Sequence, residues 1–148
     1  MPKSLWNPRA RAELLDRLER LSPEARPLWG RMNAPQMLAH LAKWMQMAEG
    51  RLITVNRKLP LRFPPLKQLL VYWLPWPKGI PTAPELLCGE SFDWAVERAA
   101  VRQMIQSFEQ RDPKAPWPAH PAFGKLTSKA WGVLGYRHTD HHFRQFGI

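Results

Sequence analysis

Apolar residues recur at helical spacing in four stretches of this chain, and each stretch follows a side chain able to cap a helix. After Asn7-Pro8 come Leu14, Leu15, Leu18 and Leu21 at three- and four-residue steps, which predicts a helix that Ser22-Pro23 ends. Asn33-Ala34-Pro35-Gln36 combines a cap, a first-turn proline and a glutamine that can close a capping box. A second helix should run from there to about Glu49, with Gly50 as its stop and Met37, Leu38, Leu41, Trp44, Met45 and Ala48 on one arc. A third is expected over 93–111, with Trp94, Val101, Met104, Ile105 and Phe108 on one stripe, ended by Asp112-Pro113. The fourth, over 127–146, starts at Thr127 and carries Trp131, Leu134, Gly135, His138, His142 and Gln145 on a single stripe.

Polar residues inside these stripes carry the candidate chemistry. His138 and His142 stand at i and i+4 on the face that must be buried, the spacing at which one divalent metal can bridge successive turns. Their neighbour His141 is rotated by about 60° to 100° onto the flank. A pair of imidazoles is not a site, so a third ligand has to come from elsewhere. His40 lies near one edge of the apolar arc of the second helix and points inwards, where a histidine is ordinarily a hydrogen-bonded core residue. Glu97 falls inside the stripe of the third helix, either at a solvated rim or as a group that supports a metal ligand or acts as a general base. His120, between prolines in Pro118-Ala119-His120-Pro121, reads as a turn residue.

From 51 to 91 the pattern breaks, because Pro60, Pro64, Pro65, Pro75, Pro77, Pro81 and Pro84 interrupt any long element. Only 66–74 leaves room for a short helix, and the segment is expected to be a crossover that packs Tyr72, Trp73 and Trp76 against the helices. The expectation is therefore one all-α domain over 1–148, a four-helix bundle with a long proline-rich crossover between helices two and three. Cys88, the single cysteine, cannot form an internal bridge, and no basic-then-apolar leader opens the chain, so a cytoplasmic protein is expected. The most apolar run, 66–76, is far short of the roughly 20 residues of a membrane span. A net charge of +10 and six basic residues without an acidic one over 51–80 could attract anions. The eight tryptophans do not alternate with basic residues as a stacking surface would, so nucleic-acid binding is expected to be weak and sequence-independent at most.

Trp29-Gly30-Arg31-Met32-Asn33 with Gln36-Met37-Leu38-Ala39-His40, then His120-Pro121-Ala122-Phe123-Gly124, then Tyr136-Arg137-His138 and His141-His142-Phe143-Arg144-Gln145-Phe146-Gly147, span nearly the whole chain. In that order they resemble the DinB/YfiT-like superfamily, and a branch of unknown function within it. The resemblance implies a DinB-like four-helix bundle holding a metal with three histidines from helices two and four, at the positions of His40, His138 and His142 here. It also implies an enzyme for a small-molecule substrate, a transferase or isomerase that uses a low-molecular-weight thiol. Three neutral imidazoles leave a zinc, nickel or ferrous ion an open position, which suits catalysis. A thiol such as bacillithiol, mycothiol or glutathione, activated there, would not need Cys88 as nucleophile. The alternatives are a hydrolase using metal-bound hydroxide, a former enzyme that keeps only the metal, and a basic non-catalytic module that binds nucleic acid. A homodimer stays open. Because ligands must be neutral, metal occupancy is expected to fall below about pH 6.5.

Overall fold

The computed structural model describes residues 1–55, 59–79, 86 and 92–148. Among them it is all-helical, without a named strand. Helix α1 spans Pro8–Arg20, α2 Ala34–Ala48, α4 Trp94–Gln110 and α5 Ser128–Gln145; the crossover adds a 3-10 turn at Pro60–Arg62 and a short helix α3 at Leu66–Gln68.

Local chemistry starts each long helix where expected. Asn7 accepts from the backbone N–H groups of Arg9 and Ala10, Asp93 from Val96 and Thr127 from Ala130. Asn33 and Gln36 exchange both bonds of a capping box, at 2.9 Å each way. Four orphan donors open any helix, and a cap that satisfies one of them contributes about 1 kcal/mol.

The apolar stripes then meet. Leu14 and Leu18 of α1, Met37, Leu38 and Leu41 of α2, Val101, Ile105 and Phe108 of α4, and Trp131, Leu134 and Phe143 of α5 form one buried core. Fully burying a Leu or Phe contributes about 1.5–3 kcal/mol, so this core rather than any ion pair holds the helices together. Helix α2 packs chiefly on α4, and α1 on both α4 and α5. At the edges, Arg17 of α1 bonds Asp140 of α5 at 2.7 Å, and Arg111 after α4 bonds Glu49 after α2 at 2.6 Å.

The short helix expected over 66–74 is present in the crossover, partly in π-helical form. Helix α3 continues directly into a π-helical turn, Leu69–Trp73, closed by a Leu74 N–H to Leu69 carbonyl bond of 2.7 Å. Of the three aromatics expected to pack, Tyr72 and Trp76 are half-buried against the helices, whereas Trp73 is exposed at 68%. Two positions apart on one helical turn, Val71 and Trp73 face opposite ways, Val71 into the core and Trp73 to solvent. Cys88 and the basic pair Arg57 and Lys58 lie outside the described residues.

Candidate metal centre

Helices α2 and α5 bring His40, His138 and His142 together. All three are buried, at 3%, 8% and 8% exposure, and one ring nitrogen from each lies within 4.8 Å of the others. Their ring centres form a nearly equilateral triangle of 5.0, 4.8 and 4.9 Å. Two nitrogens on a tetrahedral zinc stand about 3.4 Å apart, so small side-chain rotations suffice for the three to share one ion. His141 sits on the flank, half-buried between Trp29 at 5.8 Å and Trp76 at 6.1 Å.

Hydrogen bonds decide which nitrogen each ring offers. His40 Nδ1 stands 3.1 Å from the Leu86 carbonyl, which can only accept, so Nδ1 carries the proton and Nε2 is left with a lone pair. The same logic fixes His142 through a relay. The amide NH2 of Gln145 donates to the Trp29 carbonyl at 2.7 Å, which turns its Oε1 towards His142 Nδ1 at 2.8 Å, so the His142 proton is on Nδ1 and its Nε2 is free. That relay needs Gly30: its φ is +81°, and a Cβ there would stand 2.5 Å from the Gln145 amide nitrogen.

His138 completes the donor set. Its Nε2 lies 3.0 Å from His40 Nε2, while its Nδ1 is buried with no hydrogen-bond partner among the described residues. Since the His40 proton is committed to Leu86, the two facing Nε2 atoms need a single proton or a cation between them. A divalent ion satisfies both lone pairs and that of His142, so the residues present fit one.

Burial sets the charge state. It pushes His142 down to about 3 and His138 well below the usual imidazole value, each helped by neighbouring histidines. It also lowers His40, against the upward pull of the Leu86 carbonyl. All three are therefore shifted towards the neutral, ligating form, and His138 and His142 stay neutral well below pH 6.5.

The histidines form one wall of a cavity of about 560 Å³ otherwise lined mainly by Trp29, Trp44, Trp76, Met32, Leu59 and Leu70. Trp44 reaches His138, at 5.5 Å between ring centres, because Gly135 opposite it has no side chain: a Cβ there would lie 2.9 Å from the Trp44 ring. Trp76 is placed by the crossover. The Arg137 guanidinium bonds the Leu70 and Val71 carbonyls at 2.9 and 2.8 Å and also the Leu74 carbonyl, while Trp76 Nε1 donates to Leu70 at 3.0 Å.

Glu97 behaves differently from the histidines. It is half-buried on α4, its carboxyl raised by desolvation against the attraction of Lys43, and it is not among the residues lining the cavity. His120 is both a turn residue, as expected, and part of the cavity wall. Gln145, Leu86 and Arg137 are the supporting residues that pattern alone does not assign. For Gln145 a signal exists, its place on the buried stripe three residues after His142; a backbone carbonyl such as that of Leu86 leaves none.

Over residues 7–147 the chain matches the family model described as "Protein of unknown function (DUF1569)". The chain belongs to the DUF1569 family. No curated protein and no solved structure matches it. The matched span of this DUF1569 chain runs from the Asn7 cap of α1 to Gly147, and so includes every histidine of the centre together with the Gln145 relay.

Proposed function

We propose that the chain is a DinB/YfiT-like four-helix bundle, formed by α1, α2, α4 and α5, in which His40, His138 and His142 hold a divalent zinc, nickel or ferrous ion for a thiol transferase. The observation that carries this reading is the convergence of three neutral imidazoles, two with the tautomer set from outside, on the wall of an apolar cavity. Such an ion keeps its full double charge and an open position, and when bound it supplies a lowered thiol pKa and a sulfur presented as thiolate.

The protein's own groups divide the remaining work. Leu86 and Gln145 aim the lone pairs of His40 and His142 at the centre. Trp29, Trp44 and Trp76 exclude water and offer an apolar bed to the electrophile. Arg31, which also lines the cavity, suits the carboxylate of a small thiol. In the transfer the thiol loses its proton to solvent, a sulfur–carbon bond forms, and the bond from that carbon to the leaving group breaks. Hydrolysis by metal-bound hydroxide is the alternative reading, for which His141 on the cavity wall is the candidate base.

The test is thiol consumption with monochlorobimane as electrophile and glutathione, mycothiol or bacillithiol as co-substrate. The reading expects turnover with at least one of the three that is abolished by a chelator and restored by zinc, nickel or ferrous ion. Turnover that ignores the chelator would remove the metal from the mechanism.

A further inference from the structure

His120 has a second face that its role in the turn does not use. Its Nδ1 receives two backbone N–H groups, from Ala122 at 3.1 Å and Phe123 at 3.3 Å. A backbone N–H can only donate, so Nδ1 accepts and the ring proton is on Nε2. Burial pushes the ring down to about 3, which keeps it neutral with that single proton. The Nε2–H makes no hydrogen bond among the described residues, yet it is not a buried orphan either. It is therefore the ring edge left without a protein partner among the described residues, on a half-buried residue that lines the same cavity as the three clustered histidines.

We propose that His120 is a fixed hydrogen-bond donor to the cavity's ligand, and that the ligand is a small molecule with an apolar, ring-bearing body and a neutral acceptor oxygen such as a carbonyl. Three features define that class. A volume of about 560 Å³ holds a ligand of one or two rings. The tryptophans and leucines of the lining favour an apolar body. The donor is rigid: the Ala122 and Phe123 amides hold one edge of the ring, and Trp131 and Phe123 pack on it with centres 5.4 and 5.0 Å away. A neutral donor in an apolar wall selects for an acceptor, because an apolar isostere leaves the N–H unpaired. The inference rests on the cavity and not on the metal.

The experiment compares acetophenone with α-methylstyrene, which differ only in C=O against C=CH2, by ligand-observed NMR titration of the protein as purified and after chelation. Wild type should prefer acetophenone by about 3- to 10-fold, the worth of one neutral hydrogen bond, in both preparations. The 13C carbonyl resonance of the bound ketone should move downfield. In His120→Asn the Oδ1 atom stands where Nδ1 stood and accepts the same two amides, while the Nδ2 donor is drawn back one bond from the place of Nε2 to that of Cδ2, so the preference should fall towards about 1 while metal content stays unchanged. A preference that disappears on chelation would assign the carbonyl to the metal and overturn the proposal. So would equal binding of the two probes, binding of neither, an unmoved carbonyl resonance, or a preference that survives in His120→Asn.

Discussion

Gln145 Oε1 accepts the Nδ1 proton of His142 at 2.8 Å, and the amide nitrogen of the same glutamine is anchored on the Trp29 carbonyl. A residue three positions along one helix thus transmits the geometry of the loop before α2 to a ring on α5. Replacing Gln145 with Met keeps the volume and removes both bonds. Metal affinity, measured by competition with a chromogenic chelator, should fall about 10- to 100-fold, as for other partners that orient a ligand, with the circular dichroism spectrum unchanged. An unaltered affinity would show that His142 needs no such support.

Arg137 precedes a ligand in sequence but acts on the crossover. Its guanidinium holds three carbonyls of the π turn, and those contacts place Trp76 over the cavity. Arg137→Met should raise hydrogen exchange across 66–76 and shift tryptophan emission to the red, while metal content is retained. Exchange confined to its wild-type level would mean that the turn holds itself.

Gly135 is where α5 admits Trp44. Gly135→Ala places a methyl 2.6 Å from Leu5 Cδ1 and 2.9 Å from the Trp44 ring, and overpacking of this kind costs about 1–3 kcal/mol. Urea unfolding should show that loss despite the better helix propensity of alanine. A gain in stability would show that the space is available.

The pH dependence follows from burial. In the unfolded chain a histidine titrates near 6.5, whereas folding lowers His142 and His120 each to about 3. Between those values the unfolded state binds more protons, so stability falls as the pH falls through that window and is not lost further to these groups below about 3. The metal-free protein should lose roughly 2 kcal/mol on account of His142 between pH 7.5 and pH 5, read from urea midpoints. Because burial lowers all three rings, metal occupancy should begin to fall at a lower pH than the value of about 6.5 expected from unperturbed histidines. Half-loss of the metal at pH 6.5 would contradict it.

The four long helices were legible because their signals are local. Asn7, Asn33, Asp93 and Thr127 sit within one turn of the amides they cap, and the phase of His138 and His142 follows from four residues of spacing. Glu97, in the first turn of α4, is half-buried beside the core contact of Trp94, consistent with its place on the stripe, but it does not line the cavity of the three histidines. Within the crossover the short helix at 66–74 was legible from the gap between prolines; its docking was not, because it depends on Arg137, more than sixty residues away, and distant hydrogen bonds leave no period in a sequence. His120 was legible as a turn residue from its prolines; its place on the cavity wall depends on how its loop packs beside Trp131.

The most direct measurement is metal per chain, by elemental analysis, in wild type and in four single variants, each checked for folding. Wild type should carry about one divalent ion per chain. His40→Ala, His138→Ala and His142→Ala should each lose most of it, because a site left with two nitrogens binds far more weakly. His141→Ala should keep it, since that ring sits on the flank between Trp29 and Trp76. Full retention in His40→Ala would remove α2 from the centre. Loss in His141→Ala with retention in His142→Ala would show that the wrong face of α5 has been assigned to the metal.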